Sequence, residues 1–471
     1  MRKLNAQQRT AVQHTKGPAL VIAGPGSGKT AVIVSRIQNL IESGNVPAGK
    51  ILVVTFSRKA ADEMKARFLS MQKGAGSPCF GTFHSIFFWI LREAYQLSSD
   101  NIITEQKKKS LLIKAIQSTL PKTKKSSDAC AEGGHDNQIL IQQMIEDPEM
   151  LDRLEGEISK VKSGDAYIEN FISSVVSPQD FRKIYSSYTR SLKEERLVDF
   201  DDMISLCLHL LTERPDLLEY WQRRFSYILV DEFQDINPVQ YQIVRMLALP
   251  DNNLFVVGDD DQSIYAFRGA NPKIMRRFVR DYPNAKQITL QVNYRCLPAI
   301  LEASQKVIQG NRDRFKKKLK SGRIEKSAGL FSIRKFRDQQ SEYTWIAEDI
   351  RSRIRGGARP SELAILMRTH REMPHICSAL KKAGIPTDGS SVQLLTMHAA
   401  KGLEFDHVYL PDTNEGMIPS NKTKTREALC EERRIFYVAM TRAADSLTIC
   451  FCEKIRSKKA APSRFLDCFL R

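Results

Sequence analysis

Ala19-Leu-Val-Ile-Ala-Gly-Pro-Gly-Ser-Gly-Lys-Thr30 joins an all-apolar run to a glycine-rich turn that ends in Lys-Thr. The apolar run has the character of a buried parallel strand. Beyond the turn, Val32, Ile33, Ile37, Leu40 and Ile41 recur at helical spacing, and Gly44 supplies a stop. Strand, glycine-rich turn and helix together form the context a phosphate-binding loop needs. Through Ala23, Gly24, Pro25, Gly26, Ser27 and Gly28 the backbone can bend so that successive N–H groups face phosphate oxygens. Lys29 is then placed for the β and γ phosphates and the Thr30 hydroxyl for Mg²⁺. Ala23 stands where the strictest pattern has glycine, and it is small enough to serve. The expected ligand is a nucleoside triphosphate, ATP in the resemblance given below.

Working outward, Ile51–Phe56 reads as a second buried strand, and Gly81–Phe87 as the start of a helical stretch. From about 95 to 205 no buried-strand pattern occurs, while lysines cluster at 107–109, 122, 124 and 125 and Ser126–Asn137 reads as an irregular loop. This is a helical insertion between strands. Tyr227–Val230 resumes the strands and runs into Asp231-Glu-Phe-Gln-Asp235. Two acids at a strand end suit a nucleotide site, Asp231 for Mg²⁺ and Glu232 for polarising the attacking water. Leu254–Gly258 leads into Asp259-Asp-Asp-Gln-Ser-Ile-Tyr-Ala-Phe-Arg268, an amide, two aromatics and an arginine where open parallel sheets meet ligands. At Ile288–Arg295 the chain is expected to leave the first sheet. A second α/β series follows, with strands at 330–336, 362–367, 392–396, 407–410 and 446–451, and helices near 341–355, 371–383, 427–443 and 463–470. Asn311–Lys320 is strongly basic, read equally as a solvated face or a DNA contact.

Across 471 residues the net charge is +18, which points to a polyanion partner. No apolar run is long enough to span a bilayer, and Met1–Gln8 lacks the apolar core of a secretory signal. Nine scattered cysteines without a Cys-x-x-Cys pair suit buried thiols in a reducing compartment. A cytoplasmic protein without membrane association is expected.

Taken in order, the motifs resemble those of the UvrD/Rep/PcrA group of superfamily 1 helicases. They are LNAQQ (4–8), AGPGSGKT (23–30), TFSRKAADEM (55–64), GTFHS (81–85), VDFDDM (198–203) and VDEFQD (230–235). They continue with VVGDDDQSIYAFRGA (256–270), VNYR (292–295), TMHAAKGLEF (396–405), EGMIP (415–419) and EERRIFYVAMTRA (431–443). The resemblance implies an α/β chain of two RecA-like P-loop domains, each a parallel sheet flanked by helices, with a helical 1B-like insertion. Domain 1A is expected over 1–94 and 206–288, the insertion over 95–205 and domain 2A over 289–471. It implies ATP with Mg²⁺ in the cleft between the domains and single-stranded DNA, or a single-strand/duplex junction, across both. Gln8 and Arg36 would contact adenine and Tyr294 would stack on it. Gln262 would sense the γ-phosphate, Glu404 would lie near the ribose and phosphates, and Arg295 and Arg442 would act as arginine fingers. Phe56, His84, Tyr265, Phe267, Arg268 and His398 would line the DNA strand, with Phe267 where many members have tryptophan.

One departure is large. Members commonly carry a 2B domain ahead of the TMHAAKGLEF segment, whereas here Leu380–Pro386 passes through Thr387–Ser391 almost directly to the next strand. The expected activity is a monomeric ATP-dependent 3′→5′ DNA translocase and helicase. Its rivals are a motor that strips proteins from single strands, a helicase subunit serving a nuclease or a repair or defence factor, and a catalytically idle binding module.

Overall fold

The computed structural model describes residues 4–71, 76–119, 147–162, 167–266, 270–324, 331–387 and 391–470. Two sheets organise them, parallel throughout except for an antiparallel hairpin that ends the second. In the first lie β1 (Ala19–Ala23), β2 (Ile51–Thr55), β3 (Cys79–Thr82), β4 (Tyr227–Val230), β5 (Leu254–Gly258) and β6 (Lys286–Leu290), in the order β3-β2-β4-β5-β1-β6. Strands β1, β2, β4 and β5 are buried at every position. That explains their uninterrupted apolar sequences, since helices cover both faces of such a sheet. Two readings change here. Of Gly81–Phe87, read as a helical start, Gly81 and Thr82 belong to the edge strand Cys79–Thr82, and the helix begins at Phe83 behind a Thr82 cap. The segment around Ile288, where the chain is expected to leave the sheet, pairs along β1 from Ala19↔Lys286 to Ala23↔Leu290.

The second sheet follows a two-residue parallel pair, β7 (Val292–Asn293) with β8 (Lys320–Ser321). It contains β9 (Phe331–Asp338), β10 (Leu363–Met367), β11 (Gln393–Thr396), β12 (Phe405–Leu410), β13 (Ala443–Ile455) and β14 (Lys458–Lys459). Its order is β11-β10-β12-β13-β14, with β9 also on β13. Every expected strand of this series is present, and so are three of the four helices, at Gln339–Arg355, Met373–Lys382 and Arg426–Met440. The fourth shrinks to a turn at Arg464–Leu466 and a four-residue helix, Asp467–Leu470. Between the helix ending at Lys382 and β11 no further element occurs among the described residues, and 388–390 lie outside them.

The helical insertion packs on its own core, with Leu111, Leu112, Ile116, Leu154, Phe181, Ile184 and Tyr188 buried together. Most of the lysine-rich loop, Lys122 to Asn137, lies outside the described residues. Lys107, Lys108 and Lys109 pair with Glu195, Glu155 and Asp152, so their charge is spent within the insertion. The next helix, Phe200–Glu213, buries Met203, Ile204, Cys207 and Leu210 in the first domain's core. Lys162 joins insertion to domain, with its ammonium 2.6 Å from Asp199 and 2.8 Å from Asp202. Among the described residues no helix is long and apolar enough to cross a membrane.

Candidate functional site

The loop after β1 closes with Gly26 at φ +62° and Gly28 at φ +83°, a left-handed backbone that side chains disfavour. A Cβ on Gly26 would sit 2.6 Å from that of Arg295, so the loop and the second domain are in tight contact. The contact is locked. Asn293 Nδ2 donates to the Pro25 carbonyl at 2.7 Å, and the Tyr294 N–H donates to the Gly26 carbonyl at 2.8 Å. Helix α1 (Ala6–Gln13) braces the same loop, because Gln8 Nε2 donates to the Ser27 carbonyl at 2.9 Å. Asn5 Nδ2 donates to the Tyr294 hydroxyl at 2.8 Å.

From Gly28 the chain enters helix α2 (Lys29–Glu42). A cavity of about 470 Å³ opens between the two sheets, and its lining runs from Pro25 to Ala31. Glu232 and Gln262 join from the first domain, and Tyr294, Arg295, Glu404 and Arg442 from the second. Lys29 Nζ pairs with Glu232 at 2.7 Å. Glu232 adopts φ +50°, a strained conformation for a side-chain-bearing residue that clusters at functional sites. Burial opposes its charge, but Lys29 and Lys401 hold the Glu232 carboxyl well below the usual range. Next to it, burial and the Glu232 charge push Asp231 up to about 7. Asp231 Oδ1 is buried with no hydrogen-bond partner. An orphaned carboxylate oxygen whose charge is disfavoured until a cation arrives fits a Mg²⁺ ligand, and Thr30 lines the adjoining cavity.

Opposite stand two guanidinium groups. Arg295 Nε donates to Glu404 at 2.8 Å. Arg442 is buried and donates only to neutral acceptors, the Val438 and Leu403 carbonyls and the Thr441 hydroxyl. Burial lowers its pKa to about 9, the mark of a cation short of a counter-ion. Gln262 is aimed by Asp259, which accepts its Nε2–H at 2.6 Å.

Two adenine contacts expected from the resemblance do not line the cavity, Gln8, whose amide is turned to the Ser27 carbonyl, and Arg36. Arg36 lies in the first domain's interior, 4.2 Å over the Phe255 ring and donating to the Thr15 carbonyl. It does not line the cavity; Ala31 does. Seven residues into α2 from Lys29, it is carried about 10 Å along the axis, beyond the loop. Three charged cleft residues escaped the sequence reading, Arg67, Arg323 and Asp406. Arg323 donates to the Arg295 carbonyl at 2.7 Å and to Asp445 at 2.6 Å. A lone arginine outside a motif gives no signal in sequence.

The aromatic candidates gather where strands of the first sheet end. Phe56 and Tyr265 stack on one another, with centroids 5.0 Å apart and planes 4° from parallel. His84 meets Phe200 edge-on at 5.1 Å, and burial lowers its pKa. Phe56, His84 and Phe200 line a second cavity of about 600 Å³ shared with the insertion. Phe200 was not singled out by sequence, though it stands inside VDFDDM. His398 is half-buried in the turn after β11, and Phe267 and Arg268 lie outside the described residues. In the basic stretch 311–320, Arg312, Lys316, Lys318 and Lys320 are exposed, whereas two cations turn inward. Lys317 is buried against Asp259, Asp260 and Asp261, and Arg314 pairs with Asp261.

Comparisons with known proteins agree with this geometry. The UvrD/REP helicase N-terminal domain matches residues 4–283, and the UvrD-like helicase C-terminal domain matches 288–390 and 387–454. A putative ATP-dependent DNA helicase, YjcD of Bacillus subtilis, is 38% identical over 394 residues, 81% of this chain and 48% of its own length. ATP-dependent DNA helicase PcrA of Staphylococcus epidermidis is 34% identical over 393 residues, 82% of this chain and 50% of its own. PcrA of Leuconostoc citreum is 34% identical over 403 residues, 81% and 49%. The chain spans about half the length of the curated relatives it matches.

Proposed function

Because this chain belongs to the UvrD/Rep helicase family, we propose that it is an ATP-dependent 3′→5′ translocase on single-stranded DNA that also opens duplexes. The observation that carries the reading is the cleft, where Lys29 and Glu232 of one sheet face Arg295 and Arg442 of the other, with Asp231 buried beside Glu232. ATP enters between them, against Tyr294. Lys29 exchanges Glu232 for the β and γ phosphates and frees the carboxylate to orient water. Glu232 takes the proton as the water oxygen attacks the γ-phosphorus and the bond to the β-phosphate oxygen breaks. Gln262 holds a γ-phosphate oxygen, and the two arginines stabilise charge on the transferring group, an effect worth roughly 10³–10⁵ in rate. Thr30 and Asp231 would hold Mg²⁺, which would supply charge neutralisation at the phosphates. Because the arginines arrive from the second domain, chemistry requires cleft closure, and closure moves the domains against each other.

The strand lies along Phe56, His84, Phe200, Tyr265 and His398, whose rings accept any base at roughly 1–3 kcal/mol each, with the Phe267 ring and the Arg268 cation, outside the described residues, proposed to join them. The protein works as a monomer in the cytoplasm. The direct join between the helix ending at Lys382 and β11 favours a second element of the reading. Without a 2B domain the grip on duplex is weak, so movement along single strands outlasts unwinding, which suits clearing bound proteins or serving a partner nuclease. The test sets stopped-flow translocation on single strands beside unwinding of short and long tailed duplexes. Fast translocation with opening of short 3′-tailed duplexes only is expected. Preference for 5′ tails contradicts the polarity, and processive opening of long duplexes by the protein alone contradicts the weak grip.

A further inference from the structure

Lys401 stands in the turn that follows β11 in the second domain, yet its ammonium is spent on the first. It pairs with Asp235, donates to the Gln262 carbonyl at 2.7 Å and sits 4.6 Å over the Tyr265 ring. Its backbone N–H donates to the His398 carbonyl at 3.1 Å. Lys401 thus touches one aromatic of the strand track directly and shares a tight turn with the histidine of that track.

From Asp235 the contacts continue to the reacting centre. Gln234 Nε2 is shared between Asp235 at 3.1 Å and Glu232 at 2.5 Å, while its Oε1 accepts the Asp259 N–H at 2.9 Å. One amide therefore orients the water-activating carboxylate and the aspartate that aims Gln262. It is anchored in turn by the carboxylate that Lys401 holds. Asp235 keeps one oxygen, Oδ1, buried and unpartnered, so Lys401 is its principal compensation. A cation that divides itself between a π-face and a carboxylate responds when that face takes a base. As the ring moves to stack on DNA, the ammonium is redistributed toward Asp235 and Gln262, and Gln234 with it.

We infer that Lys401 is a positioning residue that transmits strand occupancy at Tyr265 to Glu232 and Gln262 through Asp235 and Gln234. It touches neither nucleotide nor water, and the inference rests on the reading of the two surfaces as ATP and DNA sites.

The test measures ATP turnover over a titration of oligo-dT in wild type, Lys401→Met and Lys401→Arg, with Lys401→Met/Asp235→Asn as a variant that removes the buried charges together. In Lys401→Met the ratio of DNA-saturated to DNA-free turnover should fall about fivefold or more, the ordinary scale of coupling between sites. The oligonucleotide concentration giving half-maximal stimulation should stay close to the wild-type value, and Lys401→Arg should recover most of the ratio. The double variant carries the expectation of Lys401→Met should the single one fail to fold. A wild-type ratio in Lys401→Met or the double variant overturns the inference alone. So does a loss that excess oligonucleotide restores, or one that arginine does not recover. A wild type whose turnover ignores oligo-dT overturns the DNA-motor reading with it.

Discussion

Two nests of buried charge lie at the ends of adjacent strands, and they are built differently. At the end of β4, Lys29 meets Glu232 while Asp231 keeps an oxygen without a partner, and Arg442 across the cleft finds only neutral acceptors. At the end of β5, Lys317 reaches Asp259, Asp260 and Asp261, Arg314 adds a two-point contact to Asp261, and the Phe315 N–H donates to Asp260 at 2.6 Å. Both contain acids and a lysine joining distant segments. Only the first leaves charges of each sign incompletely matched. A matched nest is a fastener between the domains; an unmatched one costs stability and is kept where a charged ligand completes it.

Removing the unmatched cation gives the sharpest break. Arg442→Ala should lower ATP turnover by roughly 10³–10⁵, while equilibrium binding of a fluorescent ATP analogue persists and the melting temperature does not fall. Removing the matched cation should do the reverse. Lys317→Met leaves the buried Asp259 and Asp260 without a cation, Asp261 keeping Arg314, and should cost about 3–5 kcal/mol in urea unfolding. The partly exposed Lys29, changed to methionine, should cost no more than about 1 kcal/mol. Equal losses from Lys317→Met and Lys29→Met would erase the distinction between the nests.

A smaller effect follows from Asp231. Its carboxyl, raised to about 7 by burial and Glu232, is ionised above that pH and protonated below. Mg²⁺ needs the ionised form, so its affinity for the nucleotide-free protein should fall about tenfold per pH unit below about 7 and level off above it. The linked stability runs the other way. With the folded value above the unfolded one, this group's contribution to the free protein declines as pH rises from about 4 to 7. Calorimetric Mg²⁺ titration at several pH values checks the first, and urea unfolding over the same range the second.

The smallest effect concerns Arg36. Arg36→Met should leave nucleotide affinity unchanged while lowering stability through the lost contact with Phe255. A clear drop in affinity would return Arg36 to the cleft.

The first nest was legible in sequence because its parts sit in short, contiguous signals, Gly26–Thr30 and Val230–Glu232, each at the end of an apolar strand. The second was not, because Lys317 lies more than fifty residues from the acids it neutralises and the sequence shows only a basic run. Arg36 misled for a different reason. Its role came with the resemblance rather than from a motif match of its own, and seven residues along the helix carry it away from the loop. The edge strands Cys79–Thr82 and Lys286–Leu290 escaped because neither is apolar throughout, as an edge exposed on one side need not be. Lys401 was visible within its motif, but its partners on the first domain were not.

In the proposed function the unmatched nest is where ATP is hydrolysed under the control of DNA. Single-turnover phosphate release by wild type and Glu232→Gln, each with and without saturating single-stranded DNA, addresses this most directly. Wild type should release phosphate much faster with DNA, and Glu232→Gln should bind ATP and release almost none in either condition. Phosphate release by Glu232→Gln at the wild-type rate, or a wild-type rate indifferent to DNA, would contradict it.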